Sequence, residues 1–131
     1  MSEENVERLR AGIDALNRRD LDAFLEFIDG DAEVAPRLVA IEGTYRGHEG
    51  IRQWWKNLFD SFPDYRVEIV DLRAEEDVTV AELRLRGSGA GSDAPFDETI
   101  WNVARWRERK VVRWRVYESR AAALEATGLS E

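Results

Sequence analysis

The 131-residue chain has no cysteine, one histidine and no long apolar run. Without cysteine it can form neither disulfides nor a thiolate nucleophile, and a protein without disulfides is expected in the cytoplasm. A metal site could draw only on carboxylates and His48, so no metal or other cofactor is expected. No segment approaches the ~20 apolar residues of a membrane-crossing helix, and the acidic first ten residues do not resemble a signal peptide.

Basic side chains are also fewer than acidic ones. The 27 acidic and 19 basic residues give a net charge of −8, which would repel the backbone of a nucleic acid. The one cationic run, from Arg105 to Arg115, alternates with Trp and Val. This strand spacing favours a solvated sheet face over a phosphate groove. The length fits a single domain over residues 1–131 with its own core.

The most informative segment spans residues 45–65, where the pattern indicates a turn, a helix and the entry to a strand. Ile51, Trp55 and Leu58 recur at helical spacing and give the helix an apolar face. Pro63 ends the helix at or just before the preceding residue. This aromatic helix needs a large apolar surface to lie on, and the β-rich half that follows is the expected partner.

Periodicity and turn residues predict the remaining elements. Further helices are predicted at residues 3–18, from Asp20 to Gly30, and in the tail before Gly128. Strands are predicted at residues 31–36 (ended by Pro36), 65–72, 78–86, 96–107 and 111–119, with a loop or irregular strand at 37–46 and a flexible loop at 87–95. Helices followed by strands at meander spacing indicate an α+β domain with one curved antiparallel sheet.

Three segments in this order, YRGHEGIRQWW, FPDYRVEIVDL and VYESRAAALEATGL, give the chain a family resemblance. The chain resembles the SnoaL-like branch of the nuclear transport factor 2 (NTF2-like) superfamily. The resemblance implies a cone, in which a bent antiparallel sheet wraps around three helices and opens at one end to an apolar pocket. It also implies a homodimer through the outer sheet face. Family members include polyketide cyclases, ketosteroid isomerases, epoxide hydrolases and dehydratases, so the chemistry stays open.

The candidate catalytic residues lie at the end of the last strand. Enzymes of this family place a carboxylate in an apolar pocket, where burial raises its pKa. The resemblance implies an acid–base Asp where this chain has Ser119, with Glu118 beside it. Glu118 is therefore the candidate acid–base, with Tyr117 or Tyr65 as hydrogen-bond donor. Because neighbouring strand residues face opposite sides, Glu118 can replace an acid at 119 only across a bulge, and otherwise it is a surface acid at the start of the last helix.

His48, Glu33 and Glu42 are further acid–base candidates. His48 follows Gly47 at the start of the main helix, where it is either a general base at the pocket mouth or a residue of the turn. No acid partner stands at a fixed spacing from His48, which favours the second interpretation. Glu33 and Glu42 lie near predicted pocket edges, and glutamates at such positions are usually solvated.

Aromatic residues are the stronger indication of a binding site. The candidates for ligand contact lie on the main helix or on strands: Trp54, Phe59, Tyr65, Trp101 and Trp114, with Arg84 as an inward charge. Aromatic walls with a few polar groups suit a flat or apolar ligand, although a plain core plus a dimer interface explains them equally.

The last hairpin decides which of these side chains can meet. Trp101 and Trp106 are expected to face opposite ways, with Asn102 on the side of Trp106. The turn around Glu108 and Arg109 is either a two-residue turn or a bulged one. The faces of the arginines that follow it, Arg113 and Arg115, depend on that choice.

Three functions fit these observations. The first is a cofactor-free isomerase, cyclase or hydrolase that acts by acid–base catalysis on an apolar, carbonyl-bearing small molecule. The second is a non-catalytic module that holds an apolar metabolite between Trp54, Trp101 and Trp114. The third is an interaction domain with a vestigial pocket. A buried carboxylate near a second polar group would favour the enzyme. A pocket without titratable groups would favour the binding module. A filled pocket together with an exposed apolar sheet face would favour the interaction domain.

Overall fold

Helices and strands alternate in blocks in the computed structural model, which describes residues 2–35, 45–89 and 95–128. The helices are α1 (Ser2–Arg18), α2 (Leu21–Leu25), α3 (Gly47–Ser61) and α4 (Arg120–Thr127). The strands are β1 (Ile28–Ala35), β2 (Tyr45–Arg46), β3 (Arg66–Glu75), β4 (Val78–Ser88), β5 (Pro95–Arg107) and β6 (Lys110–Tyr117). Pro36, Glu42, most of the segment 37–46 and the middle of the predicted loop 87–95 lie outside the described residues. Within the described ranges, no helix has the length and apolar character needed to cross a membrane.

The first two helices begin where the sequence predicts. α1 covers the predicted segment 3–18. The Asp20 side chain caps α2, because its carboxylate accepts a hydrogen bond from the Ala23 N–H at 3.1 Å.

The end of α2 differs from the prediction that Gly30 closes it. The helix ends at Leu25, because the residues that follow join the sheet. The Val111 N–H donates to the Phe27 carbonyl at 2.8 Å, and β1 begins at the next residue. Gly30 therefore lies within a strand.

The six strands form one curved sheet in the order β2-β1-β6-β5-β4-β3. Neighbouring strands are antiparallel except β1 and β6, which are parallel. The predicted α+β class, with one curved sheet around three helices, is confirmed. The parallel pair is not predicted from the sequence, because an alternating pattern marks a strand without fixing the direction of its neighbour.

Helices lie on both faces of this sheet. On the inner face, Leu83 and Leu85 of β4 are buried in the main core together with side chains of α1, α2 and α3. On the outer face, Ala123 of α4 is buried against Val78 and Val80 of the same strand. The cone therefore encloses three helices, and a fourth covers part of its outside.

The main helix, α3, begins and ends as predicted. Gly47 has a φ of +69°, and a Cβ at this position would lie 2.5 Å from the carbonyl oxygen of Gly30. Only glycine fits so close to β1 with this backbone. The helix stops at Ser61, just ahead of Pro63. Its buried side chains include Ile51, Trp54 and Leu58.

The β5–β6 hairpin has a two-residue turn, which is one of the two predicted alternatives. Glu108 and Arg109 have φ values of +50° and +71°, as the twist of such a hairpin requires. Beyond the turn, the register shifts by one residue between Trp106 and Arg105, and this shift brings Arg113 opposite Arg105 instead of opposite Ala104. Arg113 and Arg115 therefore lie on the outer face of the sheet.

Candidate functional site

An internal cavity of about 50 Å³ lies between the helices and the inner face of the sheet. Its walls come from α1, α2, α3 and strands β1 and β3 to β6, and nearly all of the side chains that form them are apolar. Five aromatic side chains line it: Phe24, Phe27, Trp54, Tyr65 and Trp114. A space of this size holds on the order of three or four water molecules, so only a small ligand enters without movement of the walls.

The aromatic rings hold one another in place around the cavity. The rings of Trp54 and Trp114 meet edge to face at 5.1 Å between centroids. Phe24 of α2 contacts both, at 5.9 Å and 6.1 Å. Each such pair contributes about 0.5–1.5 kcal/mol beyond area burial. Phe24 is not among the sequence-based candidates, although its helical spacing marks it as apolar core.

Three buried polar atoms of the cavity residues have no hydrogen-bond partner in the described protein. They are the indole Nε1 atoms of Trp54 and Trp114 and the amide oxygen of Asn102. Trp54 is 3% exposed and Asn102 is 6% exposed. A buried polar atom without a partner costs about 1–3 kcal/mol, so partners are expected from a molecule in the cavity, either water or a ligand.

Tyr65 is the only titratable residue among the described residues that line the cavity. Burial, together with the negative charge of Glu98, raises the pKa of Tyr65, so its hydroxyl stays protonated at neutral pH. The hydroxyl is therefore available as a hydrogen-bond donor and not as a base.

Glu98 is a residue that the sequence analysis missed. It lies on the inner face of β5, because it is in phase with Phe96 and Ile100, which pack on Tyr65 and in the main core. Glu98 is half-buried and adjoins the cavity without lining it. The sequence pattern could have identified Glu98, because the alternation along β5 that puts Asn102 on the same face as Trp106 also puts Glu98 on that face.

Three of the candidate ligand contacts line this cavity, and a fourth packs against one of these three. Trp54, Tyr65 and Trp114 line the cavity. Phe59 packs against Tyr65 with ring centroids 6.0 Å apart, so it positions that ring and does not line the cavity.

The other two candidate contacts lie outside the cone, so the predicted inward position of Arg84 is wrong. Arg84 is in phase with Val80, as expected, but that face of β4 is the outer one. There the Arg84 guanidinium pairs with Asp97 at 2.6 Å. Trp101 faces away from Trp106, as predicted, and packs on the outer face beneath α4.

The candidate catalytic pair also lies away from the cavity. Tyr117 packs in the outer cluster with Val78, and Glu118 is exposed just after β6 ends. The described chain has no bulge there that would turn Glu118 inward. Ser119, where the resemblance implies an acid, caps α4 by accepting a hydrogen bond from the Ala122 N–H at 3.1 Å.

His48 and Glu33 have structural partners. The His48 Nε2–H donates to the carbonyl oxygen of Ile28 at 2.7 Å and ties α3 to β1, in agreement with its interpretation as part of the turn. Glu33 lies on the outer side and pairs with Arg46 at 3.1 Å. Across the described ranges, no cluster of three or more histidines and acidic residues is arranged to hold a metal ion.

Replacing Asn102 with leucine should stabilise the ligand-free protein. The change removes a buried amide that lacks a partner and adds apolar contact, so we expect the free energy of unfolding to rise by about 1–2 kcal/mol. Urea unfolding of the two proteins measures this difference. Asn102→Asp is the control, because it keeps the size, places a charge in the cavity and should destabilise. A loss of stability in the leucine variant would mean that Asn102 is already paired.

Comparison with known proteins places this geometry in a known fold. A family model for the SnoaL-like domain matches residues 9–114. No curated protein sequence matches the chain significantly. An NTF2-like protein of unknown function from Burkholderia pseudomallei superimposes with a TM-score of 0.80 and 17% identity, over 93% of this chain and 95% of the other.

Two further solved structures are similar over most of their length. One is a hypothetical protein with a ketosteroid isomerase-like fold from Catenulispora acidiphila, in complex with trimethylamine (TM-score 0.77, 22% identity, 95% of this chain and 94% of the other). Another is an NTF2-like protein from Burkholderia xenovorans (TM-score 0.75, 20% identity, 97% and 98%). Identities this low establish the shared fold and not a shared ligand.

Proposed function

Because the chain belongs to the SnoaL-like family and its cavity joins aromatic walls to unpaired polar atoms, we propose that it binds a small, mainly apolar molecule with one hydrogen-bonding group. The observation that carries the proposal is Asn102, which lines this cavity and whose buried amide oxygen has no partner within the described protein. A bound hydroxyl or amide group would pair with it and relieve the cost of its burial.

The cavity defines the class of ligand. The indoles of Trp54 and Trp114 offer N–H donors, while the oxygen of Asn102 accepts. A group that both donates and accepts, such as a hydroxyl, therefore suits these atoms better than an ether or a hydrocarbon. A ligand of one aromatic ring is larger than the roughly three or four water molecules that fit the cavity, so its entry requires movement of the walls. We include Tyr65 among the proposed contacts because its protonated hydroxyl lies in the same wall.

Phenol, anisole and toluene test this proposal as a matched set. All three carry one aromatic ring, but phenol donates and accepts, anisole only accepts, and toluene does neither. We expect phenol to bind the native protein about tenfold more tightly than toluene, because it pairs with Asn102. Competition against a fluorescent apolar probe, read out by its displacement, measures the three affinities.

Asn102→Leu is the control for this experiment. It should remove the preference for phenol and leave toluene binding unchanged or stronger. Equal affinities of phenol and toluene in the native protein, or a phenol preference that survives in the variant, would contradict the proposal.

A second candidate function is acid–base catalysis at the same cavity with Glu98 in place of Glu118. The observation that favours it is the position of Glu98 on the inner face, close enough for its charge to raise the pKa of Tyr65. Glu98 would remove a proton next to a carbonyl group, and Tyr65 would donate a hydrogen bond to the oxygen that becomes negative. An isomerase or a cyclase requires this step.

Deuterium exchange at the α-carbons of cyclohexanone tests the catalytic candidate. We expect the native protein to accelerate exchange in deuterium oxide, as followed by NMR, and Glu98→Gln to lower the rate roughly a hundredfold or more, because the amide cannot accept the proton. Glu118→Gln is the matched control and should have the native rate. Exchange that is absent in the native protein, or lost only in the Glu118 variant, would reject Glu98 as the base.

The homodimer through the outer sheet face also stays a proposal, as does the cytoplasmic location. The outer face carries ion pairs between Arg84 and Asp97 and between Arg86 and Glu68. Val70, 53% exposed, is the one large apolar side chain exposed within the described ranges. A dimer on this surface would therefore depend on polar contacts. The absence of a larger apolar patch on the described surface disfavours the vestigial-pocket hypothesis.

A further inference from the structure

The outer face of the sheet carries a second candidate site that is unrelated to the cavity. A cleft of about 210 Å³ lies between the carboxyl end of α4 and strands β5 and β6. Arg105, Arg113 and Arg115 line it together with Tyr117. These arginines belong to the cationic run that the sequence analysis singled out, and the fold brings them to one face.

The fold places these three positively charged arginines next to one another, although like charges repel. Arg113 lies directly opposite Arg105 in the β5–β6 pairing, and Arg115 follows on the same face of β6. Like charges directly opposite each other in an antiparallel pair destabilise a sheet. Such an arrangement is expected where an anion compensates the charge.

Carboxylates of the protein neutralise part of this charge. Asp77 lies 3.2 Å from Arg105. Glu33 lies 3.9 Å from Arg115 but only 3.1 Å from Arg46, so its charge is shared between two arginines. All of these pairs are substantially solvent-exposed, which weakens each of them.

Of the three arginines that line the cleft, Arg113 is the one without an ion pair to any described residue. The carboxyl end of α4 adds a partial negative charge to the cleft. That charge is reduced because the Leu124 carbonyl accepts hydrogen bonds from the Gly128 N–H and the Thr127 hydroxyl, each at 2.9 Å. The cleft is thus locally positive on a chain whose net charge is −8.

We propose that this cleft binds a small oxyanion, a phosphate or carboxylate group, between the guanidinium groups of Arg105, Arg113 and Arg115. A guanidinium presents paired N–H donors that match two oxygens of such a group. α4 borders one side of the cleft, so the site suits a small anion and not an extended polymer. The sheet separates it from the cavity, and the two sites are therefore distinct.

Thermal unfolding of the native protein in inorganic phosphate or in succinate tests the proposal, with sodium chloride used to hold the ionic strength constant. An anion that binds the folded protein raises Tm in a concentration-dependent way. We expect such a rise, and we expect Arg113→Gln to weaken the apparent affinity about tenfold or more, since it removes a charge-assisted contact.

Arg86→Gln is the matched control, because Arg86 lies on the same sheet face outside the cleft and pairs with Glu68 at 2.7 Å. It should leave the affinity unchanged. Tighter binding of phosphate than of succinate would assign a phosphate ligand, and the reverse a carboxylate; either result supports the site. A Tm that follows ionic strength alone, or equal weakening in both variants, would overturn it. Phenol binding should be the same in Arg113→Gln as in the native protein, which separates this test from that of the cavity.

Discussion

Successive side chains of β5 must point to opposite faces of the sheet, and both candidate sites depend on that constraint. Asn102 faces the helices and lines the cavity, while Trp101 faces α4. Arg105 lies on the same outer face and meets Arg113 across the hairpin. A register slip by one residue would exchange the two sets, burying arginines and exposing the amide. The core on one side and α4 on the other therefore fix the register that keeps both sites intact.

The cavity combines closely packed aromatic walls with buried polar atoms that have no hydrogen-bond partner within the described protein. Phe24, Trp54 and Trp114 contact one another closely, which makes that side of the cavity stiff. The unpaired indole and amide atoms lower the stability of the ligand-free protein. A protein that needed only a core could replace Asn102 with an apolar residue. Retaining an amide there is consistent with a cavity built for a bound molecule, and Glu98 at its margin is the group through which binding could become catalysis.

Periodicity and turn residues predict most of the fold, because local patterns determine where helices and strands begin. The cap at Asp20, the start at Gly47 and the opposite faces of Trp101 and Trp106 all follow from local chemistry. The site is predicted less well, since alternation tells which residues share a face but not which face is inward. Arg84 shares a face with Val78 and Val80, and these valines are buried by α4 and not by the core. The position of α4 depends on tertiary packing, which local patterns do not reveal. The predicted positions of Arg84, Trp101 and Tyr117 are wrong because the sequence does not show which sheet face α4 covers.

The most direct test of the central claim is an NMR titration of ¹⁵N-labelled protein with phenol, following the indole N–H signals of the five tryptophans. We expect the signals of Trp54 and Trp114 to shift, because both residues line the cavity and their indole nitrogens have no partner within the described protein. Trp101 is an internal control, since its indole nitrogen is also buried without a partner but lies on the outer face, and its signal should not move. Shifts at Trp101 with none at Trp54 and Trp114, or no shift at any indole up to saturating phenol, would contradict a ligand site inside the cone.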